Sequence, residues 1–307
     1  MNTILKTHNL TKAFNGIEVI SNVNMTIKKG EIYGFLGPNG AGKTTLMKLI
    51  MNLLKPTSGR IELFGEALTY DSYEFLKRIG SIIENPVFYD WLTGYENLEL
   101  HCQYMGYHQD KSIEEALQRV ALTDIKKKKV KEYSLGMKQR LAIARALVTR
   151  PELLILDEPI NGLDPVGIKD MRNLFHKLSK EYGVTILISS HIISEIEQIA
   201  DKIGIIKKGR LIQEIKLEDT RIENKACFEL IVDDSQKASL ILLDTLNIEN
   251  FKVLDHNTIR IYNFEHSQTQ IMNALIQNGI QLESFQKKMD SLEDYFLKNV
   301  AGGEIIA

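Results

Sequence analysis

Short, mostly apolar runs alternate with amphipathic stretches through the first two-thirds of the chain. Residues 26–27, 32–36, 60–64, 153–156, 184–189 and 202–206 read as strands. The run at 153–156, Leu-Leu-Ile-Leu, has no polar side, which suits an interior strand of a parallel sheet covered by helices. Between these runs Leu46, Leu49, Ile50, Leu53 and Leu54 recur at helical spacing. So do Met137, Leu141, Ala144 and Val148, in a helix expected to stop at Arg150 before Pro151. Strands alternating with helices predict an α/β fold with a mainly parallel sheet. Residues from about 85 to 145 interrupt the alternation with helical patterns at 95–104 and 113–120, and read as a helical insertion.

The charged stretch 216–224 reads as a linker and divides the chain into residues 1–217 and 218–307. Beyond it the pattern predicts a strand at 226–232, a helix at 235–246 and a hairpin at 251–254 and 258–262. A helix at 269–277 stopped by Asn278-Gly279, a strand at 280–286 and a last helix at 291–298 complete a small α+β domain.

Composition narrows the picture. A chain of 307 residues can bury two sizeable cores. Lysine and arginine number 38 against 40 acidic residues, so the overall charge carries no signature of nucleic-acid binding. The run Lys126-Lys127-Lys128-Lys129 has no interleaved aromatics and reads as a solvated turn or helix end. Cys102 and Cys227 lie far apart, with no metal-ligand spacing, and fit a reducing compartment. No apolar run reaches the ~20 residues that cross a bilayer as a helix. The expectation is a cytoplasmic protein whose membrane role, if any, comes through a partner.

Chemistry enters at Gly37-Pro38-Asn39-Gly40-Ala41-Gly42-Lys43-Thr44-Thr45. This fits the phosphate-binding pattern G-x-x-x-x-G-K-[ST], set between a strand and a helix as the pattern requires. The glycines let several backbone N–H groups converge on an anion, and the helix N-terminus favours negative charge. Lys43 is placed to meet the β- and γ-phosphates of a nucleoside triphosphate, and Thr44 to hold Mg²⁺. Asp157 and Glu158 follow directly on the apolar run 153–156, at the strand end where ligands of such sheets bind. Asp157 is placed to hold Mg²⁺ opposite Thr44, and Glu158 to orient or deprotonate an attacking water. His191 closes the strand at 184–190. Alone it would read as a packing residue, but at that strand end it is positioned for the γ-phosphate or the water.

The segment Tyr133-Ser134-Leu135-Gly136-Met137-Lys138-Gln139-Arg140 starts a helix. Together with the preceding motifs, in this order over residues 3 to about 215, it resembles the ATP-binding subunit of an ABC transporter. The resemblance implies the P-loop NTPase fold, ATP as the fuel with Mg²⁺, and a head-to-tail pair of nucleotide-binding subunits. It also implies an integral-membrane permease as partner, and no nucleic acid. In that arrangement Ser134 and Gly136 touch the γ-phosphate held by the other subunit. Asp164, in Asn161-Gly162-Leu163-Asp164, belongs to the loop linking the two sites, although Asp164-Pro165 also reads as a simple helix start. Phe14 matches the aromatic that stacks on adenine, although a lone phenylalanine also reads as core.

Two departures matter. Leu135 stands where the family usually has glycine, and Met137 where it has glutamine. Glu84 stands where most members have a glutamine that touches Mg²⁺ and water. With the following Val87-Phe88-Tyr89-Asp90-Trp91-Leu92-Thr93-Gly94-Tyr95-Glu96-Asn97-Leu98, this is similar to the bacitracin-resistance and lantibiotic-immunity branch. Glu84 reads either as a harder Mg²⁺ ligand than an amide or as a tolerated polar replacement. The segment Leu292-Glu293-Asp294-Tyr295-Phe296-Leu297 resembles the tail of antibiotic-exporting members. The expected function is the ATPase subunit of a bacterial exporter of an antimicrobial peptide or drug. A soluble ABC-type ATPase on a non-membrane partner, or a regulatory nucleotide-binding module, are the competing readings.

Overall fold

The computed structural model describes residues 3–69, 71–84, 86–123, 128–218, 226–262 and 265–289. The chain divides into two compact units, Met1–Leu217 and Glu218–Ala307.

The first unit is built on a six-stranded sheet. In chain order its strands are β4 (Ile32–Leu36), β7 (Ile79–Ile82), β8 (Leu153–Leu156), β9 (Thr185–Ser190), β10 (Lys202–Lys207) and β11 (Arg210–Lys216). Their spatial order is β11-β10-β4-β9-β8-β7. The pairs β10/β4, β4/β9, β9/β8 and β8/β7 are parallel, and β11 returns antiparallel along β10. Every residue of β4, β8 and β9 is buried, as strands apolar on both faces require.

A second, antiparallel sheet was not foreseen from the sequence. It comprises β1 (Thr3–Phe14), β2 (Ile17–Val23), β3 (Thr26–Lys28), β5 (Ser58–Leu63) and β6 (Glu66–Ala67). β1 shows no clean alternation because register shifts interrupt its pairing, and Asn9 takes a positive φ of 46°. Thr7 is buried mid-strand yet satisfied: its hydroxyl donates to Val23 O at 2.9 Å and accepts from Met25 N at 3.0 Å. One core joins both sheets through α1 (Lys43–Ile50), with Leu5, Leu10 and Ile61 on one side and Phe35, Ile155 and Leu187 on the other.

Two helices end earlier than expected. α1 stops at Ile50, because the N–H groups of Leu53 and Leu54 both turn back to Lys48 O and Asn52 takes φ 57°. The helix α4 (Leu135–Leu147) stops short of Arg150, whose φ of 52° is incompatible with a continuing helix. The region between β7 and β8 also holds α2 (Gly94–Met105) and α3 (Ser112–Arg119). α2 is fixed at its start by a reciprocal cap between Thr93 and Glu96. α5 (Pro165–Lys180) and α6 (Ile193–Glu197) complete the unit. Of the lysine run, Lys129 bridges to Thr93, while residues 126 and 127 lie outside the described residues.

The second unit runs β12 (Ala226–Val232), α7 (Ser235–Leu246), β13 (Phe251–Val253), β14 (Thr258–Ile261), α8 (Gln268–Gln277) and β15 (Leu282–Met289). Its sheet is antiparallel, in the order β13-β14-β12-β15. Alternate residues Phe228, Leu230 and Val232 of β12 pack with Leu242 and Leu275 from the two helices. The expected last helix at 291–298 lies outside the described residues.

Candidate functional site

The phosphate-loop segment links the C-terminal end of β4 to α1. Gly42 occupies the cap position with φ 107°, and no side chain caps the first amides of α1. A Cβ on Gly42 would stand 2.7 Å from Ile20 Cδ1 and 3.0 Å from Val19 O, so both the angle and the space demand glycine. Lys43, only 6% exposed, folds back along the loop. Its Nζ donates to Gly37 O at 2.7 Å and to Pro38 O at 3.3 Å.

The ends of β8 and β9 bring the acidic pair against this loop. Thr44 Oγ1 donates to Asp157 Oδ2 at 2.6 Å, and Ser189 Oγ donates to Asp157 Oδ1 at 2.6 Å. The same Ser189 oxygen accepts from Glu158 N at 2.9 Å. Glu158 is held at a positive φ of 49°. One carboxylate oxygen lies 3.3 Å from Lys43 Nζ, and the other 2.9 Å from His191 Nδ1. A cavity of about 290 Å³ results, lined by Asn39 through Thr45 with Val19, Asp157 and Glu158. Converging amides, a buried ammonium and an uncapped helix N-terminus suit the phosphates of a nucleotide. A threonine hydroxyl touching a carboxylate is a pair of hard oxygen donors and fits Mg²⁺.

Ser134, Gly136 and Asp164 line a different cavity, of about 480 Å³, which shares no residue with the first. Ser134 caps α4, its Oγ accepting from Met137 N at 3.3 Å. Asp164 caps α5, its Oδ1 accepting from Gly167 N at 2.8 Å. Phe14 ends β1, 42% exposed, with Lys12 Nζ 4.9 Å from its ring centroid; it is not part of the phosphate cavity wall. Glu84 has φ 67°, and its exposed carboxylate pairs with Lys48 Nζ at 2.8 Å. The hydrogen bond and charge of Lys48 hold the Glu84 carboxyl below its ordinary range. Glu84 lines a third cavity, of about 310 Å³, whose wall also carries Asp157 and Glu158.

Ser189 is the site residue the sequence reading passed over. Its signal was available: two hydroxyls, Ser189 and Ser190, close an apolar strand at the end where ligands of parallel sheets bind.

The family described as ABC transporter matches residues 20–161. The uncharacterized ABC transporter ATP-binding protein YcbN of Bacillus subtilis (strain 168) is 58% identical over 307 residues, covering 100% of both chains. The chain belongs to the ABC transporter ATP-binding proteins. It is an ATPase subunit with the nucleotide-binding fold of ABC cassettes. The bacitracin transport ATP-binding protein BcrA of Bacillus licheniformis is 47% identical over 305 residues, covering 99% of this chain and all of that one. Among solved structures, cbiO1 from Clostridium perfringens, part of the ABC transporter complex cbiONQ, superposes with a TM-score of 0.68 at 30% identity. That match covers 81% of this ABC ATPase and 98% of the other chain. Among the described residues no helix is long and apolar enough to cross a membrane.

Proposed function

We propose that this ABC ATPase is the energy-supplying subunit of an exporter for a bacitracin-like peptide or related drug, working at the inner face of the membrane on a separate permease. The likeness to BcrA along nearly the whole chain supports the substrate class. The observation that carries the hydrolytic reading is the connected set Lys43–Glu158–His191, set beside Thr44–Asp157 at the end of the parallel sheet.

Lys43 and the amides of residues 39–40 and 42–45 bind the β- and γ-phosphates, while Ala41 N donates to Pro38 O within the loop; Phe14 stacks on the adenine. Thr44 and Asp157, with Glu84 from the neighbouring cavity, would hold Mg²⁺, which supplies the positive charge that offsets the phosphate oxygens. Glu158 accepts a hydrogen bond or a proton from the attacking water. The water oxygen bonds to the γ-phosphorus while the bond to the ADP oxygen breaks. His191 holds the Glu158 carboxylate in orientation. Ser134 and Gly136, with Asp164 close by, complete the site of a second copy, where the N-terminus of α4 meets the γ-phosphate. Catalysis then comes mainly from positioning and charge complementarity. The second unit supports the dimer or regulates it.

Glu158→Gln tests this. Loss of a general base lowers turnover by about 10²–10⁴-fold, while ATP binding persists. Wild-type turnover in that variant refutes the role of Glu158. Recovery of the intact protein from membranes without any multi-spanning partner refutes the exporter reading.

A further inference from the structure

Gln139 lies in the second turn of α4, the helix that Ser134 caps. It is buried, 8% exposed, and its Oε1 meets no hydrogen-bond donor among the described residues. It lines the cavity of about 310 Å³ that also touches Glu84, Asp157, Glu158 and Asn161. An amide oxygen is a strong acceptor, and burying one without a donor is unfavourable unless the site uses it. The carboxylates beside it are acceptors when ionised and offer it nothing. The volume admits several waters at roughly 30 Å³ each, and its polar walls suit them.

We propose that Gln139 is a positioning residue for ATP hydrolysis. Its Oε1 accepts a hydrogen bond from a water in this cavity, whose other hydrogen is donated to the Glu158 carboxylate. Lys43 and His191 already engage the two oxygens of that carboxylate from the phosphate side. The water fixes it from the opposite side. α4 thereby carries both the surface offered to a second copy's nucleotide and a link to its own chain's hydrolytic carboxylate. Displacement of α4 when a second copy engages is read at Glu158 through this amide.

The inference rests on the proposed role of Glu158, so the experiment includes Glu158→Gln beside two variants of Gln139, all in the full chain. Gln139→Met keeps the volume and removes the acceptor. A misplacement of about 1 Å costs up to ~10²-fold in rate, so kcat is expected to fall about tenfold or more while KM for ATP changes less than about twofold. Tm is expected to shift by only a few degrees, because a single water-mediated hydrogen bond is lost. Gln139→Glu keeps an acceptor oxygen at this place in either protonation state, so its kcat is expected to exceed that of Gln139→Met. Wild-type kcat in Gln139→Met overturns the inference, as does a Gln139→Glu variant no more active than Gln139→Met. Full turnover in Glu158→Gln defeats the underlying reading of Glu158. An inactive Glu158→Gln beside a fully active Gln139→Met defeats the link alone.

Discussion

Ser189→Ala removes one oxygen from the centre of the site, and its cost can be worked out contact by contact. Ser189 is fully buried. Its hydroxyl donates to Asp157 at 2.6 Å and accepts from Glu158 N at 2.9 Å. Losing a hydrogen bond to a charged group costs about 1.5–3 kcal/mol, and stranding a buried N–H about 1–3 kcal/mol. Part is recovered, because Glu158 sits at φ 49°. A non-glycine residue held in that region stores about 1–3 kcal/mol that is released once its restraint is gone. The net loss is about 2 kcal/mol, or about 4–8 °C in the melting temperature of a unit of this size. That relaxation also moves the Glu158 carboxylate away from Lys43 and His191, so kcat is expected to fall by about 10²-fold. ATP affinity is expected to stay, because the hydrogen bonds of Lys43 to Gly37 and Pro38 do not involve Ser189. Thermal unfolding, equilibrium nucleotide binding and steady-state ATPase on one preparation separate these effects. A drop of less than about 2 °C with wild-type kcat would show that Ser189 holds neither carboxylate in place.

Glu84→Gln is expected to leave Tm unchanged, because its ion pair with Lys48 is exposed. It is expected to raise the Mg²⁺ concentration needed for half-maximal ATPase; an unchanged Mg²⁺ titration together with unchanged transport refutes the role given to Glu84. In the second unit, burial opposes ionisation of Glu229, but hydrogen bonds and charge from Lys288 and Arg260 outweigh it and hold the carboxyl below its ordinary range. A depressed carboxyl pKa stabilises the fold fully above the unfolded value of about 4.3 and loses that contribution as pH falls through the folded value. The Tm gap between wild type and Glu229→Gln is therefore expected to narrow on acidification below about pH 4, and a gap independent of pH contradicts the pairing.

What the sequence disclosed depended on whether a local pattern decided the outcome. The run Leu153–Leu156 is a strand because an all-apolar segment this short is too brief for a helix of its own, and the two acids after it could be placed at once. Ser134 and Asp164 were legible as helix starts, and both cap helices. β7 was not legible, because Gly80-Ser81 looks like a turn. Its glycine answers a tertiary demand: α4 crosses so closely that a Cβ on Gly80 would collide with the Ala146 carbonyl. β1 was hidden by its irregular register, and Gln139 by its place in a helix, where only packing shows that its amide oxygen is buried. The roles of Ser189 and Gln139 come from contacts between elements distant in sequence, and no local period records such contacts.

The separation of the two cavities constrains how the ATPase can work. The phosphate cavity gathers Lys43, Thr44, Asp157 and Glu158, while Ser134, Gly136 and Asp164 share the other. A γ-phosphate bound at Lys43 is therefore not enclosed by the α4 N-terminus of the same chain. If that N-terminus contributes its partial positive charge, a second copy must bring it. The reciprocal pairing then closes both sites at once, as expected of a two-fold contact in which each subunit lends what the other lacks. Leu135 is 49% exposed beside Gly136, so it adds apolar surface to the wall that a second chain would meet under the proposed pairing. If the pairing forms as proposed, burying it on closure would favour the ATP-bound pair, and hydrolysis, by removing the shared γ-phosphate, would release it. Under the proposed pairing, Leu135 would thus favour the closed state.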